Sequence, residues 1–271
     1  MQLSELVRLS LAEDLGPGDV TTRATVDPTR TGRARVIAKQ PLVVCGQDAA
    51  AEVFAQLGAR WEPVVPDGAT RAPGEDVAHA EGPLAALLAG ERCALNFLMR
   101  LSGIATHVRE CVDGVDGIDV LDTRKTTPLH RALEKHAVRC GGARNHRFGL
   151  FDGVMIKDNH IVAAGGIATA VARARAAVHP LLRIEVEVET LDELRQALDA
   201  GADVILLDNM DDPTLREAVA ITAGRARLEA SGNMTAARVR GLVGMGIDQV
   251  SMGGLIHQAR WADLSMRILP G

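Results

Sequence analysis

Apolar residues follow two rhythms along this chain, and the change falls near residue 102. Over the first hundred residues helical and extended stretches are mixed. Residues 4–14 have helical spacing, and Gly16-Pro17-Gly18 stops that helix. Residues 33–45 read as extended chain interrupted at Pro41, and residues 48–57 as a short helix. Residues 64–65 and 76–81 read as short strands between Pro/Gly turns. A long helix starts near Pro83, a residue suited to a first helical turn. It is expected to break at Ser102-Gly103 and to resume as far as Val112.

From residue 118 onward short apolar strands alternate with helices. Strands are expected at 118–121, 154–156, 184–188, 204–207, 227–229 and 249–251. Helices are expected at 128–138, 167–178, 191–200, 213–222 and 236–243. Strands this short and this apolar, separated by helices, are parallel and buried on both faces. A βα barrel, closed or incomplete, and an open doubly wound sheet both satisfy the pattern.

Nearly every one of these strands ends in charged or small polar residues. The ends read Asp122-Thr123-Arg124-Lys125, then Lys157-Asp158-Asn159-His160, then Glu185, Glu187 and Glu189. They continue with Asp208-Asn209, with Glu229-Ala230-Ser231-Gly232-Asn233, and with Ser251-Met252-Gly253-Gly254. In a parallel barrel such ends converge on one mouth, where these folds place their chemistry. The plainer reading is that Asp208, Asn209 and Ser231 only cap helices. Charge is also segregated: residues 123–160 hold eight Lys/Arg against three acids, and residues 185–212 hold ten acids against one Arg. A cationic half suits a carboxylate or phosphate substrate, and an acidic half suits Mg²⁺ shared with substrate phosphates. Ser231-Gly232-Asn233 and Gly253-Gly254 leave backbone N–H groups open to a phosphate. Asp192, Glu193, Asp199 and Lys135 are read as solvated helix faces.

Composition narrows the classes. Hydrophobic residues make up 47 % of 271, enough for a large core, but aromatics are 2 % and Tyr is absent, so packing rests on aliphatic side chains. A net charge of −5 and the lack of an aromatic-plus-basic pattern argue against nucleic acid. No apolar run approaches the roughly 18 residues of a membrane helix, and the first residues lack the pattern of a signal peptide. Cys45, Cys93, Cys111 and Cys140 are widely spaced with no C-x-x-C pair. They read as buried structural thiols in a reducing, cytoplasmic setting, with no zinc or redox site indicated. His130 and His136 lie six apart and read as surface or packing residues. No G-x-G-x-x-G, P-loop, H-E-x-x-H or G-x-S-x-G occurs where such a motif requires it, so the nucleophile is expected to belong to a substrate. Only four of the 30 basic residues are lysines, and Lys125 and Lys157 both sit at strand ends.

Together the motifs resemble the quinolinate phosphoribosyltransferase family. The strings are LAEDLG with GDVTT near the start, TRKTTP from Thr123, GGARNHRFGL from Gly141, IKDNH from Ile156, EVEVET from Glu185, LLDN from Leu207, EASGN from Glu229 and SMGG from Ser251. The resemblance covers nearly the whole chain in order. It implies the type II phosphoribosyltransferase fold: a mixed α/β domain over residues 1–102, an incomplete parallel α/β barrel over 103–257, and a segment, 258–271, returning to the first domain. It implies transfer of phosphoribosyl from phosphoribosyl pyrophosphate to quinolinate, with loss of CO₂, in NAD synthesis. Thr123, Arg124, His146, Arg147 and Lys157 would then surround the quinolinate carboxylates, and Arg92 would come from the neighbouring subunit of a homodimer. Lys125 and Lys157 would contact the donor. Glu187 and Asp208 would bind its ribose and Mg²⁺, and Ser231, Gly232, Asn233, Ser251, Gly253 and Gly254 its 5′-phosphate. Asp158, Asn159 and His160 would shape their loop. A nicotinate-type transferase, a quinolinate-transferase-like protein of molybdenum transport and a non-catalytic phospho-metabolite-binding barrel are the alternatives.

Overall fold

The computed structural model describes residues 2–270. In chain order its elements begin with α1 (Leu3–Leu15), α2 (Val20–Thr25), β1 (Thr31–Ala38), β2 (Leu42–Val43), α3 (Gln47–Gln56), β3 (Arg60–Pro63), β4 (Thr70–Arg71), β5 (Asp76–Pro83) and α4 (Leu84–Val112). The alternating part follows: β6 (Asp119–Leu121), α5 (Arg131–Gly141), β7 (Val154–Ile156), α6 (Asp158–Ala164), α7 (Ile167–Ala177), β8 (Ile184–Val188) and α8 (Leu191–Asp199). The chain closes with β9 (Val204–Asp208), α9 (Asp212–Thr222), β10 (Arg227–Ser231), α10 (Ala236–Leu242), β11 (Gln249–Ser251), α11 (Gly254–His257) and β12 (Leu264–Ile268).

Two compact units result. The first holds residues 1–110, 127–142 and 258–271, the second residues 111–126 and 143–257. Against the expected division, the first unit extends past residue 102 along α4 and also takes α5, while the units divide at 257/258 as expected.

In the first unit an antiparallel sheet runs in the order β12-β1-β5-β3, and the β2–β4 ribbon stands apart. The chain end returns as expected, with Val36 opposite Met266. The core beneath includes Val36, Val53, Phe54, Val77, Leu87 and Leu98. Phe54 stacks on Trp61 at 5.4 Å between ring centres. The third strand lies at 60–63 rather than at 64–65. Only Trp61 of its four residues is buried, so its apolar signal is a single side chain.

Helix α4 does not break at Ser102-Gly103. A Cβ on Gly103 would sit 2.0 Å from the carbonyl oxygen of Arg260. The glycine therefore marks a close backbone crossing, sealed by the bond from Ala262 N–H to Met99 O at 2.9 Å. Lys135 is 2 % exposed, which corrects the reading of a solvated face. Its neighbour Glu134 is fully buried and accepts from Arg100 Nη2 at 2.8 Å and from the Thr127 N–H and hydroxyl at 2.8 Å each. The polar letters at 134–135 hide an inward helix face.

In the second unit six parallel strands run in the order β6-β11-β10-β9-β8-β7. From β7 to β11 the strands neighbour one another in chain order without reversal and β6 returns beside β11, the winding of a barrel rather than of a doubly wound sheet; among the described residues β6 and β7 do not pair, so the barrel is incomplete. Most of the strands' residues are buried; Asp119, Arg227 and Gln249 open β6, β10 and β11, and Asp208, Ser231 and Ser251 close β9, β10 and β11. Thr190, Asp211 and Thr235 cap α8, α9 and α10. Asp208, Asn209 and Ser231 do not supply these caps, which removes the plainer reading of those strand ends. Helix α6 was not expected. Its first turn is Asp158-Asn159-His160, and His160 Nδ1 accepts the N–H of Lys157 at 3.0 Å.

Candidate active site

Parallel register lines up the strand ends. Ser231 pairs with Asp208, Glu229 with Leu206, and Leu206 with Glu187. Strand side chains alternate faces, so Glu185 and Glu187 share one face of β8, Leu206 and Asp208 one face of β9, and Glu229 and Ser231 one face of β10. Around these a cavity of about 430 Å³ opens. It is lined by Thr123, Arg124, Lys125, His146, Arg147, Lys157, Glu187, Asp208, Ser231 and Ser251, with Met155, Leu206 and Glu229.

The cations are held individually. Lys157 forms an ion pair with Glu187. Arg147 Nη1 donates to the Gly153 carbonyl at 3.1 Å. Burial first, and then the charge of Arg124, pulls the Arg147 guanidinium below its ordinary value. Two neighbouring guanidiniums disfavour each other until an anion arrives. Lys125 passes over Gly253, where a Cβ would stand 3.0 Å from Lys125 Cδ.

Beneath the cations lies a buried acidic floor that the site expectations did not include. His146 Nδ1 accepts the N–H of Arg147 at 2.8 Å, which leaves Nε2 to carry the proton that faces Glu185 Oε2 at 3.1 Å. Glu229 is fully buried, 3.8 Å from the same nitrogen, and Gln249 Nε2 donates to it at 2.5 Å. Burial, and secondarily the charge of Glu185, pushes the Glu229 carboxyl up to about 7. Asp122, also fully buried, accepts the His146 N–H at 2.8 Å and Asn145 Nδ2 at 2.7 Å, fixing the histidine's backbone. The signal for Glu185 and Glu229 was in the sequence. Period two on β8 and β10 puts each on the same face as Glu187 or Ser231.

Ten of the expected site residues therefore surround one cavity. Gly232, Asn233 and Gly253 lie in the adjoining turns and Gly254 opens α11; none of them lines the cavity. Gly232 (φ +96°) approaches Asn209 so closely that a Cβ would be 2.2 Å from Asn209 Oδ1, and Asn209 and Asn233 both have left-handed backbones. Arg92 is exposed on α4 and is not among the lining residues.

Comparison with known proteins bears on both units. The family model for the N-terminal domain of quinolinate phosphoribosyl transferase matches residues 19–102, and that for its C-terminal domain matches residues 104–267. A Bacillus subtilis (strain 168) protein named probable nicotinate-nucleotide pyrophosphorylase (carboxylating) is 43 % identical, over 99 % of this chain and 94 % of the relative. A Synechocystis protein of the same name is 42 % identical, over 96 % and 90 % respectively. The structure of the Francisella tularensis nicotinate-nucleotide pyrophosphorylase superposes with a TM-score of 0.94 at 38 % identity, covering 98 % of this chain and 96 % of that one. Both domain models in their proper order, relatives matched over almost their full length and a shared architecture agree: this chain belongs to the quinolinate phosphoribosyltransferase family.

Proposed function

We propose that this chain transfers the phosphoribosyl group of phosphoribosyl pyrophosphate to quinolinate, giving nicotinate mononucleotide, CO₂ and pyrophosphate for NAD synthesis. The observation that carries this is a single cavity uniting Arg124, Lys125, Arg147 and Lys157 with Glu187 and Asp208. A sensor of phosphorylated metabolites needs the cations but not the carboxylates.

Arg124, Arg147 and Lys157, with Thr123 and His146, bind the two carboxylates of quinolinate and hold its ring nitrogen toward the anomeric carbon. As pyrophosphate leaves, positive charge grows on the ribose, and Glu187 and Asp208 stabilise it. Lys125 and Lys157 draw the donor's phosphates. Ser231, Gly232 and Asn233, with Ser251, Gly253 and Gly254, cradle the 5′-phosphate. Ribosylation makes the nitrogen cationic, and its charge stabilises the carbanion left on the adjacent carbon as that carbon's carboxylate departs as CO₂; the carbon then takes a proton from solvent. No protein nucleophile is needed, and alignment of the two reactants supplies much of the rate. The carboxylates of Glu187 and Asp208 are hard oxygen donors on one cavity wall, a set that fits Mg²⁺. When bound, Mg²⁺ neutralises charge on the departing pyrophosphate.

Arg92, exposed on α4, fits a role in the site of a second copy in a homodimer. Leu150, Phe151 and Val162, each more than 70 % exposed, give the second unit apolar surface of the kind subunit contacts cover. The cysteines are all free thiols, in keeping with the cytoplasm. No helix among the described residues is long and apolar enough to cross a membrane.

The test is direct. Purified protein with Mg²⁺ and phosphoribosyl pyrophosphate is offered quinolinate, nicotinate or nicotinamide in parallel. Release of CO₂ with formation of nicotinate mononucleotide is expected from quinolinate alone. Turnover of nicotinate without turnover of quinolinate would refute the assignment.

A further inference from the structure

In the first unit four side chains converge that no step above uses. Cys45 Sγ, Asp67, His136 and Cys140 Sγ each offer one ligand atom, and all four atoms lie within 4.8 Å of one another. His136 Nε2 is 2.9 Å from Asp67 Oδ2 and 3.5 Å from Cys140 Sγ, and Cys45 Sγ is 3.8 Å from Asp67 Oδ2. Tetrahedral zinc bound by two sulfurs, a nitrogen and an oxygen sets its ligand atoms about 3.3–3.8 Å apart. The observed spacings bracket that range. We propose that Cys45, Asp67, His136 and Cys140 form a four-ligand zinc site.

The surroundings suit such a site. Asp67 Oδ1 accepts the N–H groups of Gly46 (3.0 Å) and Gln47 (3.2 Å), which orients Oδ2 toward the cluster. The Cys45 backbone is clamped by Ser102 Oγ, at 2.9 Å from its N–H and 3.1 Å from its carbonyl. His136 and Cys140 are one turn apart on α5 and so share a helix face. An opening of about 480 Å³, lined by Pro63, Val64, Pro66, Asp67 and His136 among others, gives an entry path. On the far side of the ring, Arg139 Nη2 faces His136 Nδ1 at 3.3 Å. Metal at Nε2 puts the remaining ring proton on Nδ1, so the exposed Arg139 side chain must swing away. Two thiolates and an imidazole select zinc over Mg²⁺, which keeps this site distinct from the reaction's own metal.

Cobalt reports the ligands directly. Metal-stripped, reduced protein titrated with Co²⁺ in excess Mg²⁺ is expected to develop thiolate-to-cobalt charge-transfer absorption and the visible bands of a tetrahedral ion, saturating at one equivalent. One equivalent of Zn²⁺ should abolish both, and saturating Zn²⁺ should raise the Tm by about 5 °C or more. Cys140→Ser should lose most of the charge-transfer band, and Asp67→Asn should weaken cobalt binding about tenfold or more. Circular dichroism verifies the fold of each variant, and Cys140, half-buried, is the safer of the two cysteines to change. Folded wild-type protein with no charge-transfer band would overturn the site. So would a band undiminished in folded Cys140→Ser, or a Cys45–Cys140 disulfide recovered from the protein in place of metal.

Discussion

Glu229 is fully buried, far more than its letter suggests. Its folded pKa of about 7 lies above the 4.5 of an ordinary glutamate. Below pH 4.5 both folded and unfolded chains hold the proton, and its contribution to stability is intact. Between 4.5 and 7 the folded chain keeps a proton that the unfolded chain has released, so stability falls as pH rises and levels off above 7. The loss is on the order of 3 kcal/mol. Glu229→Gln should flatten that slope, gaining on the wild type at pH 8 relative to pH 5 in thermal melts. Equal shifts at both pH values would show that Glu229 titrates normally. Gly232→Ala tests the turn beside it. Its φ of +96° and a Cβ 2.9 Å from the backbone nitrogen of Asn209 leave little room. Strain of about 1–3 kcal/mol should appear as a rise of roughly tenfold in KM for phosphoribosyl pyrophosphate with little change for quinolinate. At this scale the sequence showed which residues end the strands. Period two also put Glu185 and Glu229 on the face of Glu187 and Ser231; the cluster at Cys45 was hidden, because it depends on which faces of separate elements meet.

Elements of the repeating half were legible almost to the residue: β7, β8 and β11 begin and end where the apolar runs do. The apolar residues of β8 and β11 are buried, and turn residues bound all three strands. The first hundred residues were harder to read. Half-buried antiparallel strands such as β3 carry one inward side chain, and α2 and α6 are too short to show a period. Gly103 was legible as a glycine but not as a crossing point, since its partner, Arg260, lies far along the chain. Gly103→Ala would drive a methyl group into the Arg260 carbonyl, backbone against backbone, where no rotamer change brings relief. A fall in Tm of about 5 °C or more is expected from scanning calorimetry. An unchanged Tm would mean that the crossing yields easily.

For the whole molecule the open matter is how many copies complete one site. Arg92→Ala and Lys125→Ala chains should each be inactive alone. Mixed and re-associated, they should regain partial activity if Arg92 serves the neighbour's cavity. Mixed dimers that form, as judged by native mass spectrometry, yet stay inactive would place Arg92 elsewhere. The family resemblance in the motifs extended to both domain models, whereas assembly left no periodic trace in the sequence.

The burial of Lys135 has one more consequence. The four lysines are Lys39, Lys125, Lys135 and Lys157. With Lys135 sealed inside the fold, two of the three lysine amines open to a reagent stand at the barrel mouth. Ordinary proteins scatter such amines over their whole surface, but here a mild acylating label followed by peptide mass spectrometry becomes a footprint of the cavity. Lys39 serves as the built-in standard for reagent dose, and occupancy by any ligand can be followed as protection of the other two, without a turnover assay.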